Sequence, residues 1–298
     1  MLAIPAPLLR RADSLAQSYF DAPGLPRLDF SKPPGAAALF APDSVSWRVM
    51  KNPVALMVGG IAAVLLELAE PRVRTGVWEH TSFRRDPVTR MKRTGYAAMV
   101  TIYAPAETAR AMIANVVRLH GRVTGETPRG EAYGANDEEL LNWVQATAGF
   151  GFVEAYRRFV RPLSDAELDA VYAEGAEAAA LYGAHGVPKS NAEMEALFAT
   201  MRPKLEHSDI VFEFLDIVRA APLLPSRALQ KLIIRGAVEI TPAWAREILG
   251  LDSHFGLPLG GASALRALGA VSDRACLRTA PPAQACVRLG LAADYLYC

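Results

Sequence analysis

A chain of 298 residues with 51% hydrophobic and 21% charged residues can bury a sizeable core, and this composition excludes a disordered protein. Its 32 Lys and Arg against 31 Asp and Glu give a net charge of +1, which provides no whole-protein electrostatic case for a nucleic-acid partner or an anionic membrane. The three cysteines form no CxxC pair, so we expect no structural zinc site but reduced thiols in a cytoplasmic protein.

The N-terminal part of the chain is predicted to be an arm over residues 1–45, because it is rich in proline and has one short helical pattern at 9–20. The segment 53–70 that follows is almost wholly apolar, which is typical of a membrane span or of a helix in a large core. It is slightly short for a span and carries Glu67 and Glu70 at its end. We therefore favour a buried helix and expect no integral membrane span.

One all-α domain is predicted over residues 46–298, because proline and glycine punctuate helical patterns and alternating β-branched runs are missing. The sequences at 164–167 and 190–193 have the spacing of capping boxes at helix starts. A helix over 106–119 begins after a proline, and an amphipathic helix covers 138–160. The apolar stripe of this last helix consists of Leu141, Val144, Ala148, Phe152, Ala155 and Phe159.

Several familiar enzyme signatures are missing from the sequence. There is no GxSxG elbow, no phosphate-binding GxxxxGK[ST] loop, no GxGxxG string and no HExxH pair. The five histidines are not paired at helical metal-ligand spacing, so a multi-histidine metal site would need long-range assembly.

A polar cluster between residues 79 and 125 interrupts the apolar helical pattern. Arg90 and Thr94 are four residues apart and share a helix face, and Arg93 leans the same way. Two guanidinium groups and a hydroxyl suit a dianionic ligand such as the two propionates of haem. His120 lies alone at a predicted helix end, where it is a suitable axial ligand for haem iron.

Each of these residues also has a purely structural interpretation. Arginines in such a pattern are more often solvated charges or partners of acids such as Asp86 and Glu79, because arginine is rarely buried. His120 near a helix C-terminus is, taken alone, better explained by its favourable interaction with the helix dipole. Composition and spacing alone therefore indicate only a helical domain with a basic, histidine-containing site.

Five strings, in this order along the chain, resemble the family that contains the latex-clearing rubber oxygenases and the side-chain-cleaving oxygenase of mycophenolic acid synthesis. They are DSVSWRVM at 43–50, VLLELAEPRVRTGVWEHTSFRRDPVTRMKRT at 64–94, RLHGRVTG at 118–125, YGANDEELLNWVQAT at 133–147 and AYRRFVRPLSDAELDAVYAE at 155–174. Many bacterial members of the family were long filed as a domain of unknown function. The resemblance covers a core of about residues 43–188 and leaves a set of C-terminal helices over 189–298.

The resemblance implies a globin-like helical core with additional surrounding helices that binds haem b. His120 matches the family's proximal iron ligand, and Arg90 and Thr94 match residues that shape the haem pocket. Arg93 stands where rubber oxygenases have a lysine that can reach the distal side of the iron. Because a guanidinium that stays protonated cannot ligate iron, Arg93 is expected to pair with a propionate or a bound anion.

The function that the resemblance implies is a haem b-dependent oxygenase that uses dioxygen to cleave or oxygenate an apolar, unsaturated, isoprenoid-like compound. Glu79 or His80 is expected to supply proton transfer, and the substrate is expected to enter an apolar channel built by the helices over 53–68 and 138–160. Family members often carry Gln where this chain has Glu67. Two alternatives stay open: a haem carrier, peroxidase-like scavenger or sensor without oxygenase turnover, and a helical member of the family that has lost haem.

Overall fold

The protein is described here by a computed structural model that covers residues 13–14 and 26–298, and most of the helix predicted at 9–20 lies outside the described residues. Helices dominate this part of the chain, so the all-α prediction is confirmed. The α-helices are α1 Val45–Met50, α2 Pro53–Glu67, α3 Pro71–His80, α4 Pro87–Tyr103, α5 Ala106–His120, α6 Glu138–Phe159, α7 Asp165–Leu181, α8 Asn191–Met201, α9 Ile210–Ala220, α10 Arg227–Ile240, α11 Ala243–Leu249, α12 Gly261–Asp273 and α13 Pro281–Arg288. Short 3₁₀ turns occupy Arg202–Lys204, Ser253–Phe255 and Tyr295–Tyr297.

A small antiparallel hairpin is the exception to the helical pattern. Strands β1 Thr124–Glu126 and β2 Ala132–Gly134 pair with Thr124 opposite Gly134 and lie between α5 and α6. Strands of three residues are too short to show the alternation by which a strand is recognised in a sequence. Both strands of the hairpin pack against α3. The hairpin therefore holds the chain segment that follows α5 against α3.

The two predicted capping boxes turn out differently. At the start of α7 the Glu167 amide donates to Ser164 Oγ at 3.3 Å and the Ser164 amide donates to Glu167 Oε2 at 3.0 Å, so this box is confirmed. At the start of α8 the Glu193 amide donates to Ser190 Oγ, as predicted. The Glu193 carboxylate, however, accepts from the amide of Lys189 rather than from Ser190, so this second prediction is only half right.

The centre of the fold is the pair α2 and α6, which pack along each other over the buried faces of both helices. Their backbones touch where Gly59 faces Gly151: a Cβ added to Gly59 would lie 2.5 Å from the Gly151 carbonyl oxygen. Near the end of α2 the Trp143 indole nitrogen donates to the Leu66 carbonyl at 3.3 Å. Because the backbones are in contact here, a substrate channel built by α2 and α6 would have to run along another face of these helices.

The apolar helix α2 is mostly buried in this core. In the described part of the chain, no single helix is long and apolar enough to cross a membrane. The consecutive helices α2 and α3 meet the length and composition criteria only when taken together, and they bend by 112° between them.

The irregular segment before α1 is joined to the C-terminal helices through a buried arginine. Arg288 in α13 is 1% exposed, and its guanidinium donates to the carbonyls of Phe30 at 2.6 Å and Ala36 at 2.8 Å. These carbonyls belong to chain without regular secondary structure, so the guanidinium supplies hydrogen bonds that a helix or sheet would otherwise provide.

Candidate functional site

Helices α4 and α5 form a hairpin whose open end holds the predicted site. Only Ala104 and Pro105 separate the two helices, and so short a connection makes neighbouring helices antiparallel. Arg90 and His120 lie at nearly equal distances along the chain from this turn, on opposite helices. The hairpin therefore brings both residues to the same end, close enough for the Arg90 charge to lower the pKa of the His120 imidazole.

Local sequence fixes the face that Arg90 presents. Asp86 caps α4 by accepting from the Thr89 amide at 3.2 Å, and Pro87 occupies the first turn, where its missing amide costs nothing. One turn into the helix, the Arg90 guanidinium donates to the Thr94 hydroxyl. That hydroxyl in turn donates to the Arg90 carbonyl at 3.1 Å. The predicted pairing of Arg90 and Thr94 on one face is present.

A half-buried carboxyl completes the group. Glu67 is the last residue of α2, and its interaction with the positive charge of Arg90 links α2 to α4. Burial raises the pKa of Glu67 to about 7, and the attraction of Arg90 offsets only part of this rise. Burial also lowers the pKa of Arg90, against the opposing effect of Glu67. A carboxyl that holds its proton near neutral pH thus lies beside a desolvated guanidinium.

We infer that Glu67, Arg90 and His120 line a recess, because all three are half-buried. The protein around them removes much of their hydration, and this loss shifts their pKa values. Even so, each keeps partial contact with solvent, and Thr94 beside them is exposed. Polar groups that are crowded by protein yet reachable by solvent belong to the wall of a recess rather than to a packed core.

His120 has the state that a metal ligand needs. Burial, and secondly the charge of Arg90, lower the pKa of its imidazole, so the ring is neutral at neutral pH. A neutral ring gains no charge–dipole stabilisation from the end of α5, which removes the main structural explanation for this histidine. Its Nδ1 atom is buried and has no hydrogen-bond partner within residues 13–14 and 26–298. The Nδ1 atom therefore has an unmet requirement for a partner.

The other predicted site residues lie further out. Arg93 is exposed on α4 and acts on Arg90 only as a neighbouring positive charge. Glu79 and His80 are exposed at the end of α3. There the Tyr133 hydroxyl donates to Glu79 Oε2 at 3.5 Å, and the His80 ring meets the Tyr133 ring edge-on at 6.3 Å. The structure brings Arg90, Thr94 and His120 together, and places Glu79 and His80 in a separate contact with the hairpin strand β2.

Glu67 belongs to this site, although it was not among the site residues predicted from the sequence. The available signal was a carboxyl at the end of a helix whose other residues are almost all apolar. Glutamate is almost never fully buried without a partner, so an acid in that position predicts a buried cation nearby. Arg90 is that cation, but only the tertiary structure, which brings the end of α2 near Arg90, identifies it.

Replacing this carboxyl should change how stability depends on pH. The folded-state pKa of Glu67 lies above the ordinary value of 4.5, so the ionised form is disfavoured by folding and stability falls as the pH rises from about 4.5 to about 7. Because the side chain is partly accessible, we expect a loss of roughly 1–3 kcal/mol over this window. Glu67→Gln should abolish the loss and be more stable than the wild type at pH 8, as measured by urea unfolding at pH 4.5, 6 and 8.

The exposed Glu247 supplies the matched control for this substitution. Glu247→Gln removes the same charged group from an exposed position, and we expect it to leave the wild-type pH profile unchanged. If Glu67→Gln follows the same profile as Glu247→Gln, the Glu67 carboxyl is not held in its neutral form.

The described residues around His120 do not form a site in which protein side chains alone would coordinate a metal ion. In the described residues, no group of three or more His, Cys, Asp and Glu side chains is arranged to hold a metal ion. His120 thus offers one nitrogen beside a cation, a hydroxyl and a protonatable carboxyl.

Comparison with known proteins places most of the chain in one family. Residues 47–273 match the family model described as the ER-bound oxygenase mpaB/B'/rubber oxygenase catalytic domain. Uncharacterized proteins of Mycobacterium bovis and Mycobacterium tuberculosis are each 35% identical over 117 residues, which cover 37% of this chain and 45% of each relative. No solved structure matches significantly. The family match covers most of the chain, including Glu67, Arg90 and His120, and the chain therefore belongs to the mpaB and rubber oxygenase catalytic-domain family.

Proposed function

We propose that this protein is a haem b-dependent oxygenase in which His120 is the axial iron ligand. The observation that carries the proposal is the buried, unpartnered Nδ1 atom of a neutral His120 whose pKa is lowered in part by the nearby Arg90 guanidinium. A porphyrin brings its own ring of nitrogen donors to the iron, so the protein needs to supply only one axial nitrogen. A single histidine, without a cluster of other ligands, fits that requirement.

The residues around His120 fit the anionic edge of such a group. Arg90 carries a desolvated guanidinium whose nearby countercharge, Glu67, is held near its protonated form by burial. A guanidinium binds a carboxylate through two parallel hydrogen bonds, and a propionate would supply the full negative charge that Glu67, with a pKa of about 7, carries only in part. Thr94 fixes the direction of this guanidinium through its hydroxyl. Arg90 is accordingly assigned to a propionate, and Thr94 to orienting Arg90.

The remaining side chains act on protons and on solvent. When bound, a histidine-held haem iron supplies dioxygen binding and, given polar groups near the open side, its activation. Glu67 is the group in the recess that can hold or release a proton at the pH of the cell, because its pKa is about 7. Glu79 and His80 remain candidates for proton transfer only if the end of α3 turns toward the recess, since both are exposed beside Tyr133. We therefore place Glu67 ahead of them in this role.

The proposed substrate is an apolar, unsaturated small molecule of isoprenoid type, which reacts with dioxygen. This substrate class is taken from the family, whose description includes rubber oxygenases. Because Thr94 is exposed, we expect the substrate to approach the recess from the side of Thr94.

The first test is the absorption spectrum of freshly purified protein, oxidised and then reduced with dithionite, with a pyridine haemochrome assay. A Soret band with about one haem b per chain is expected for a single axial site. Squalene or another polyene should then accelerate dioxygen consumption by the reduced protein. A protein with no Soret band even after titration with hemin would overturn the proposal. A full Soret band with no oxygen uptake from any polyene would instead favour a haem carrier or sensor.

Arg90 should hold the haem more firmly than any exposed arginine does. Loss of a charge-assisted hydrogen bond costs about 1.5–3 kcal/mol, so Arg90→Ala should accelerate haem transfer to apomyoglobin by roughly 10- to 100-fold. The control is Arg118→Ala, because Arg118 is exposed on α5 and donates to Asn115 in the same helix. Equal transfer rates for the two variants would exclude a propionate contact by Arg90.

A further inference from the structure

A second recess lies among the C-terminal helices, between α9, α10 and the 3₁₀ turn Ser253–Phe255. It is a cleft of about 350 Å³, at the lower end of the range for small-molecule sites. None of its lining residues belongs to the group formed by Glu67, Arg90 and His120. The cleft is therefore separate from the proposed haem site, and ligand binding to the cleft can be measured independently of haem binding.

The floor of the cleft is apolar and continuous with the main core. Leu215 in α9 and Ile234 and Val238 in α10 line it, and each is at most 4% exposed. Phe255 forms a wall at the 3₁₀ turn and remains partly exposed. An apolar chain lying on this floor would contact already buried residues and cover the exposed part of Phe255, which is a favourable burial of apolar surface.

The rim of the cleft carries only positive or neutral polar groups. Arg219, Lys231, Arg235 and His254 line it, and no carboxylate does. Arg219 is paired with Asp216 at 2.5 Å, outside the lining. The Arg235 guanidinium donates to the His254 carbonyl at 3.0 Å, which directs one of its nitrogens to the protein and leaves others for a ligand.

Lys231 differs from the two arginines. Its side chain is exposed at the rim, and within the described residues its ammonium has neither an ion pair nor a hydrogen bond. It lies one turn before Arg235 on α10, so both cations face the same opening. A cleft with an apolar floor and two adjacent cations at its mouth is complementary to an apolar chain that ends in an anion.

We propose that this cleft binds an amphipathic carboxylate, with its hydrocarbon part on Leu215, Ile234 and Val238 and its carboxylate between Lys231 and Arg235. A carboxylate accepts two hydrogen bonds from an Arg fork and pairs with an ammonium as a point charge. The absence of carboxylates from the lining avoids repulsion of the ligand headgroup. This carboxylate is a ligand in addition to the proposed haem and polyene, and its binding does not depend on either of them.

The probe is 11-(dansylamino)undecanoate, titrated into the full chain and followed by the dansyl emission. Saturable binding that decanoate competes away, and that acetate does not, is expected. Lys231→Met should raise the dissociation constant about tenfold, because one charge-assisted contact is lost. Lys189→Met is the control, since Lys189 is an exposed lysine on a distant loop and should leave binding unchanged.

Three results would overturn the proposal. The first is no saturable binding of the probe to the wild type. The second is equal affinity in the Lys231→Met and Lys189→Met variants. The third is a Lys231-dependent association with phosphatidylglycerol vesicles while the monomeric probe does not bind, which would identify the rim as a membrane-surface contact instead. Since Lys231 is exposed, a folding defect does not confuse these outcomes, and repeating the titration after loading with hemin separates this site from the His120 recess.

Discussion

His120→Ala is expected to lose most of the Soret absorbance while the protein stays folded. The substitution removes the proposed axial nitrogen, so the dissociation constant for hemin should rise at least about tenfold. It also removes a buried nitrogen that has no hydrogen-bond partner, so no satisfied hydrogen bond is lost. We expect the free energy of unfolding of the haem-free chain to change by less than about 1 kcal/mol. Hemin titration and urea unfolding of the same preparations measure both quantities.

The control for this variant is His185→Ala. His185 is an exposed loop residue between α7 and α8, and its removal should alter neither hemin binding nor stability. An imidazole added to His120→Ala should restore part of the Soret band, because the small ligand can occupy the space that the side chain leaves. Unchanged hemin affinity in His120→Ala would show that another group holds the iron. A large loss of stability with normal haem content would assign His120 a structural role.

Two adjacent glycines in α2 should respond in opposite directions to the same substitution. A Cβ on Gly59 would lie 2.5 Å from the Gly151 carbonyl oxygen, so Gly59→Ala must push the backbones of α2 and α6 apart. A Cβ on Gly60 would meet only the Phe152 Cε1 atom at 3.8 Å, an ordinary contact. We expect Gly59→Ala to destabilise the protein by about 3 kcal/mol or more, and Gly60→Ala to stabilise it by up to about 1 kcal/mol.

Urea unfolding of both glycine variants measures this difference directly. The comparison also bears on the site, because α2 carries Glu67 at its end and a displaced α2 would separate Glu67 from Arg90. Gly59→Ala should therefore also weaken hemin binding, whereas Gly60→Ala should not. Equal stability of the two variants would mean that α2 and α6 are not in backbone contact.

Much of the site was predictable because it depends on local order along the chain. The pairing of Arg90 with Thr94 follows from helical spacing, and the position of His120 follows from the end of a strongly patterned helix. A connection of two residues makes α4 and α5 antiparallel. The proximity of Arg90 and His120 was therefore also predictable from the number of residues that separates each of them from the turn. The ordered family strings pointed to the same residues, and the family match confirms that membership.

Other features needed the packed structure because they depend on which helix faces meet. The stripe predicted on α6 includes Val144 and Phe152, which are only half-buried, whereas the buried face includes Trp143 and Gly151. A periodic pattern gives greatest weight to large apolar residues, while a glycine at a helix crossing leaves no hydrophobic signal. The close contact of α2 with α6 was for that reason not predicted.

The sequence by itself determined the helical class, the family, and the residues of the α4–α5 hairpin, since periodicity, caps and a short turn act over a few residues. Only the tertiary structure decided that Glu67 joins Arg90, that Glu79 and His80 lie outside the recess, and that a cationic cleft forms between α9 and α10. These features depend on how helices distant in sequence pack together. Burial, which fixes the pKa of Glu67 and the neutral state of His120, arises from that packing and not from local sequence.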